Sequence, residues 1–144
     1  MSRGGKGRPR IVVVDDEAIV CESLRIQLEA AGFHAVAVED PRRALSVVAA
    51  ERPDLIVLDL YMPGMDGREI ARAVKADPAV SSAKILLLTG SSEAVDVVTG
   101  LDAGAIDYMT KPVDGEALTA KIRALLAPPS AAAPSPRPAR RKKK

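Results

Sequence analysis

Four apolar runs in this chain each lead into a group able to do chemistry. Residues 11–14 run into the pair Asp15-Asp16, and residues 55–58 run into Asp59. Residues 84–88 deliver Thr89, and residues 105–109 lead through Thr110 to Lys111. A carboxylate cannot stay unpaired inside an apolar layer, so each acid must emerge where its run stops. Three carboxylates brought together repel one another and need a cation. Hard oxygen ligands with open water positions suit Mg²⁺, which prefers octahedral geometry and keeps several waters. The Thr89 hydroxyl and the Lys111 ammonium complete the parts for phosphoryl transfer to a carboxylate: a nucleophile, a metal, and two groups to hold phosphoryl oxygens. Such catalysis is largely positioning and charge neutralisation, so no histidine base is required.

Short unbroken apolar runs bounded by turn formers read as strands buried on both faces. A further strand over 33–38 shows weak alternation. Between the strands the spacing turns helical. Val20, Leu24, Leu28 and Ala31 lie 4, 4 and 3 apart, with Gly32 as C-cap. Asp40-Pro41 opens a second helix that carries Ala44, Val47 and Val48 inward, and Asp66 or Gly67 begins a third with Ile70, Ala73 and Val74. Ser92 caps a fourth bearing Val95, Val98 and Leu101, and Gly104 ends it. Asp114 caps a fifth with Leu118, Ile122 and Leu125. The segment from Tyr61 to Gly67 is dense in turn formers and reads as an open loop.

Strands alternating with helices make βα units, whose crossovers force a parallel sheet covered on both sides. The expected fold is α/β, a flavodoxin-like (βα)5 doubly wound parallel sheet of strand order 2-1-3-4-5. All its strands point one way, so the residues just past their carboxyl ends converge. Asp15, Asp16, Asp59, Thr89 and Lys111 then share one site.

Composition narrows the function classes. With 144 residues, one domain with a real core is expected. Three aromatics make base stacking an unsuitable mode of action. No run approaches the roughly 18 apolar residues of a membrane span, and no signal-peptide pattern opens the chain, so a cytoplasmic location is expected. The lone Cys21 excludes an internal disulfide and reads as a small buried hydrophobe. His34, the only histidine, reads as an ordinary residue entering a strand, so the chain is no phosphohistidine donor. The net charge of +2 hides an asymmetry. Residues 1–10 and 127–144 carry ten bases and no acid, leaving residues 11–126 with 11 bases, 19 acids and a net charge of −8. The expected organisation is a basic flexible arm over 1–9, a domain over 10–127, and a disordered Pro/Ala-rich basic tail over 128–144.

The sequence resembles a response-regulator receiver domain of two-component signalling over about residues 10–126. Ile11-Val12-Val13-Val14-Asp15-Asp16-Glu17 resembles that family's acidic pair after the first strand. Leu58-Asp59-Leu60-Tyr61-Met62-Pro63-Gly64-Met65-Asp66-Gly67 resembles its phosphoacceptor strand and loop. Leu88-Thr89-Gly90 and Asp107-Tyr108-Met109-Thr110-Lys111-Pro112 resemble its switch threonine and its aromatic-to-lysine segment. The separations Asp16–Asp59, Asp59–Thr89 and Thr89–Lys111, of 43, 30 and 22 residues, fit the family fold.

The resemblance implies roles. Asp59 accepts a phosphoryl group from a phosphohistidine of a sensor kinase or phosphotransfer protein. Asp16 binds Mg²⁺ directly, Asp15 acts through a bound water, and the Tyr61 backbone carbonyl is a further ligand. Thr89 and Lys111 hold phosphoryl oxygens, while Tyr108 changes rotamer as Thr89 is drawn inward. Lys111-Pro112 stands where the family often has a cis bond. Residues 92–126 form the output surface for an unidentified protein target, and a phosphorylation-dependent homodimer is compatible with it. The chain is then a switch rather than an enzyme, catalysing only its own phosphorylation and dephosphorylation. Tyr61 and Ser91 fall at the two positions that tune phosphoryl lifetime. A bulky Tyr61 hinders water and Ser91 offers no group to orient it, so slow autodephosphorylation is expected. Gly90 departs from the family's small Ala after the threonine, which loosens that loop.

Two other classes remain at this stage. One is an aspartyl-nucleophile phosphatase of small esters, although no cap domain or further acid/base residue is evident. The other is a phosphorylation-independent binding module whose basic tail, residues 137–144, contacts nucleic acid weakly, without sequence preference and with steep salt dependence.

Overall fold

The computed structural model describes residues 7–90 and 94–127, apart from the side chains of residues 94 and 95. Residues 1–6 of the expected 1–9 arm, the tail over 128–144, the Ser92 cap and the Ser91 position lie outside the described residues.

Five strands form one parallel sheet: β1 (Arg10–Val14), β2 (His34–Val38), β3 (Leu55–Asp59), β4 (Lys84–Thr89) and β5 (Asp107–Thr110). Their spatial order is β2-β1-β3-β4-β5, the expected flavodoxin-like arrangement. Register is set by the apolar runs. Val13 lies beside Val57, which lies beside Leu86, and Val14, Leu58 and Leu87 form the next row. Alternate residues then feed two cores. Ile11, Val13, Leu55, Val57, Leu86 and Leu88 pack on one face against α1 (Ala18–Ala30) and α5 (Gly115–Leu126). Val12, Val14, Ile56, Leu58, Ile85 and Leu87 pack on the other against α2 (Ala44–Glu51) and α3 (Gly67–Ala76). The central strands have no wet face, which is why their sequences run apolar without alternation.

The helix signals hold where a cap is present. The Asp66 side chain accepts from the Arg68 N–H to start α3, and Asp114 accepts from the Ala117 N–H to start α5. Asp40 caps a 3₁₀ turn over Pro41–Arg43 that precedes α2, so the second helix opens tighter than expected. Gly32 and Gly104, at φ 102° and 121°, follow α1 and α4 (Ala94–Asp102) in the left-handed region. Arg8 and Pro9 already bond to the domain: the Arg8 guanidinium meets Glu29 at 3.0 Å, and the Pro9 carbonyl accepts from the His34 N–H at 2.9 Å.

Three expectations are corrected. Val98 and Leu101 of α4 are 55% and 41% exposed rather than core-facing. The helix turns Gly100 inward instead, because a side chain there meets Leu87: a Cβ would lie 2.2 Å from its Cδ1. The fifth strand begins at Asp107, since Ala105 and Ile106 complete the turn out of α4. The loop after Asp59 is a small antiparallel hairpin, with Tyr61 opposite Asp66 and Met62 opposite Met65.

The hairpin returns the chain so tightly that Gly67 at the start of α3 lies against the end of β3. Its N–H donates to the Leu60 carbonyl at 2.7 Å, and a Cβ there would stand 2.3 Å from the Asp59 carbonyl oxygen. That neighbour is backbone and cannot swing aside. Gly67→Ala should therefore lower the stability by about 1–3 kcal/mol, measured as a lower denaturant midpoint at unchanged slope.

Candidate functional site

The carboxyl ends of β1, β3 and β4 converge as the parallel sheet requires. Asp15 follows Val14, and its N–H donates to the Val38 carbonyl at 3.1 Å. The Cys21 thiol donates to the Asp15 carbonyl at 3.0 Å. Burial pushes that thiol's pKa up to about 11, so Cys21 serves as a packed spacer and not as a nucleophile. One Asp15 carboxylate oxygen accepts from the Glu17 N–H at 2.9 Å. The other, Oδ2, is fully buried and has no well-aligned hydrogen bond. Among the described residues its close cation is Lys111 Nζ, at 2.9 Å.

Lys111 is aimed into the site by its own backbone, whose N–H donates to the Thr89 carbonyl at 2.8 Å. The Lys111–Pro112 peptide bond is cis. Besides Asp15, Nζ lies 3.3 Å from Asp59 Oδ2 and 3.3 Å from Glu17 Oε1. Burial alone would lower the pKa of this ammonium, but Asp15 and then Asp59 outweigh it and hold Lys111 charged. Asp59 is only 5% exposed. Burial first, then the nearby Asp15 charge, push its pKa up to about 6, with Lys111 acting against the rise.

Asp15, Asp16 and Asp59 each offer a carboxylate oxygen within 4.8 Å of the others. Asp15 and Asp59 therefore share the Lys111 ammonium while Asp16 joins them without a contact to it, and one buried Asp15 oxygen lacks a hydrogen bond. This is the donor set and the charge deficit that a hard divalent cation satisfies. Mg²⁺ fits these residues, with Asp15, Asp16 and Asp59 to hold it.

Thr89 ends β4 and is 2% exposed, next to Thr110 in register. Tyr108 sits beside Leu87 and packs, half-buried, against the α2/α3 core. Tyr61, two residues past Asp59, is 50% exposed and turns its hydroxyl to Asp96 of α4 at 2.5 Å.

The sequence profile described as "Response regulator receiver domain" matches residues 11–123. The chain belongs to the response-regulator receiver family. The DNA-binding response regulator MtrA of Mycolicibacterium paratuberculosis is 44% identical over 119 residues, covering 83% of this chain and 52% of that protein. The transcriptional regulatory protein CseB of Streptomyces coelicolor is 38% identical, over 81% of this chain and 48% of its own length. This chain thus spans about half the length of these curated relatives. Among solved structures, the chemotaxis protein CheY4 of Vibrio cholerae aligns with a TM-score of 0.78 at 27% identity, over 81% of this chain and 98% of that one. The BeF3-activated receiver domain of DrrB aligns at 0.74 with 30% identity, over 83% and 97%. Among the described residues no helix is long and apolar enough to cross a membrane.

The side chains of Asp15, Asp16, Asp59 and Lys111, expected to converge, lie together at the carboxyl end of the sheet. The sequence reading gave no role to some neighbouring residues. It missed Glu17, the third carboxylate on Lys111, whose signal was present as the acid following the pair. It also missed Arg68 and Asp96 around Tyr61, which look like ordinary helix-surface charges in sequence.

The raised Asp59 pKa has a definite sign. Below about pH 4 the group is protonated both folded and unfolded and costs nothing. As the pH rises from about 4 to 6 the unfolded chain ionises first, and the native state loses stability. Asp59→Asn should therefore be more stable than wild type at pH 7.5 without Mg²⁺, by on the order of 2 kcal/mol, and the difference should vanish by pH 4. Thermal melts across this range check it; equal melting at both pH values would contradict it.

Proposed function

We propose that this receiver is a phosphorylation switch in which Asp59 accepts a phosphoryl group from a phosphohistidine of a sensor kinase or phosphotransfer protein. The observation that carries the reading is the Lys111 ammonium within 3.3 Å of a nearly buried Asp59 that also borders Asp15 and Asp16. With its pKa near 6, Asp59 is mostly ionised at neutral pH and available as a nucleophile. An Asp59 oxygen attacks phosphorus and forms an acyl phosphate, while the P–N bond breaks and its electron pair returns to the imidazole nitrogen, which takes a proton. Bound Mg²⁺ supplies neutralisation of the phosphoryl charge. Asp15, Asp16, Asp59 and the Tyr61 carbonyl would hold it. Lys111 and the Thr89 hydroxyl hold phosphoryl oxygens.

Residues 10–127 carry this switch, which turns over only its own phosphoryl group and acts on no other substrate. The 1–9 arm and 128–144 tail flank it as basic segments, with weak nucleic-acid contact by 137–144 as the sharpest role for the tail. An open groove of about 420 Å³ beside Lys111, lined by Glu17, Ile19, Val20 and Pro112, gives a phosphodonor an apolar approach to the site. The partner surface over 92–126 is supported by the exposed Val98, Leu101 and Ile106, which leave an apolar patch on α4 and the turn into β5. A downstream protein or a second copy of the chain would cover it, with Thr89 and Tyr108 relaying the phosphoryl signal.

Incubation with acetyl phosphate and weighing of the intact protein test this reading. One phosphoryl group should be gained with Mg²⁺, none without it, and none by Asp59→Asn. The phosphorylated protein should lose its group slowly, and Tyr61→Asn should shorten that lifetime several-fold. A wild-type half-life of seconds in Mg²⁺ would contradict the lifetime reading, and uptake by Asp59→Asn would contradict the site.

A further inference from the structure

A second connection runs from the phosphoacceptor loop to α4, through side chains that neither the acidic cluster nor the Thr89–Tyr108 pair uses. Arg68, in the first turn of α3, is its centre. Its Nε and Nη2 bond the Asp66 carboxylate at 2.9 and 2.7 Å, which fixes the guanidinium plane. Its Nη1 donates to the Thr99 hydroxyl of α4 at 2.5 Å. Nη2 also reaches the Tyr61 phenol oxygen at 3.4 Å, and the guanidinium carbon lies 5.3 Å from the Tyr61 ring centroid. Tyr61 in turn donates to Asp96 Oδ1 at 2.5 Å, and the Thr99 hydroxyl donates to the Asp96 carbonyl at 3.2 Å. A planar fork of donors over an aromatic ring is an arrangement that Arg makes and Lys does not.

The placement matters because α4 has little else to hold it. Of its residues with described side chains, only Gly100 is buried, and glycine brings no apolar side chain. An element with few buried apolar contacts opens locally at low cost, so polar ties make up much of what fixes it. Here those ties lead to Tyr61, two residues past Asp59, on one side of the site. On the other side, α4 begins five residues after Thr89.

We infer that Arg68, Tyr61, Asp96 and Thr99 form a latch that holds α4 to the loop after Asp59 in the unphosphorylated protein, and that its strength sets how readily Asp59 is phosphorylated. This rests on the phosphoacceptor reading above. Drawing Thr89 toward a phosphoryl group pulls on the segment that starts α4, while the latch holds the helix's first two turns in place. A contact made only in the resting arrangement lowers the population of the form that takes the phosphoryl group. By reciprocity, phosphorylation loosens the latch and frees the helix that presents Val98 and Leu101.

The test compares wild type, Tyr61→Phe, Arg68→Ala, the double variant and Arg68→Lys. Tyr61→Phe keeps the ring and removes only the hydroxyl. Hydrogen exchange is read in the unphosphorylated full chain, and the initial phosphorylation rate is read with acetyl phosphate and Mg²⁺. Each single variant should speed exchange over residues 96–102 about five-fold or more, with α1 and β1 unchanged. Each should raise the phosphorylation rate about three-fold, and the double variant should fall short of the product of the two singles, because the Arg68–Tyr61 contact couples the two ties to α4. Arg68→Lys should behave as Arg68→Ala. Unchanged α4 exchange with normal phosphorylation overturns the latch, as do faster exchange throughout the fold, multiplied effects in the double variant, or full rescue by Lys. Absence of phosphorylation in every form, wild type included, overturns the phosphoacceptor reading and the coupling with it, even where α4 exchange responds.

Discussion

One ammonium is shared among carboxylates at the end of the sheet, and the rest of the structure is arranged around that imbalance. Lys111 stands 2.9 Å from Asp15 and 3.3 Å from both Asp59 and Glu17. Asp15 is fully buried and Asp59 nearly so, so neither charge is dissipated by water. Burying charge with an incomplete set of partners lowers stability, and a well-packed apolar group of similar volume would serve the fold better. The arrangement leaves a site short of positive charge, a deficit that a hard divalent cation would relieve. A raised Asp59 pKa is the same fact seen from the proton's side.

The parallel sheet is what makes the imbalance possible. Only parallel strands bring the carboxyl ends of β1, β3 and β4 side by side, and only strands apolar on both faces hold those ends in fixed register. Beneath them, Cys21 packs against the Asp15 carbonyl, and Gly67 lets α3 start in contact with the Asp59 backbone. Either position filled by a larger group would displace a carboxylate. The opposite end of the sheet shows the ordinary use of charge. There the Asp54 carboxylate accepts from the Arg10 N–H at 2.7 Å and ties β1 to the turn before β3.

The strands, the two-faced core and the converging residues were legible in the sequence, because each depends on a local signal: an apolar run, a cap, a turn former. The strand order is not written in any spacing and was expected only from the count of five βα units. Asp40, Asp66 and Asp114 act as the caps their positions announced. What the sequence hid depends on approach between elements. Val98 and Leu101 have core-like spacing, but they face solvent because Leu87 occupies the space beneath α4 and admits only Gly100. The hairpin after Asp59 has no alternating pattern long enough to show as strands. The meeting of Tyr61 and Arg68 with Asp96, across about 30 residues, leaves no periodic trace at all.

In the proposed switch, Asp59 and a divalent cation together make one phosphoryl-binding site. Fluorine NMR of the protein with beryllium fluoride, a phosphoryl mimic that bonds a carboxylate, tests that claim without any kinase. Bound fluorine signals should appear in the wild type only when Mg²⁺ is added, and should be missing from Asp59→Asn. Bound signals without Mg²⁺, signals that survive Asp59→Asn, or none in wild type with Mg²⁺ would contradict it.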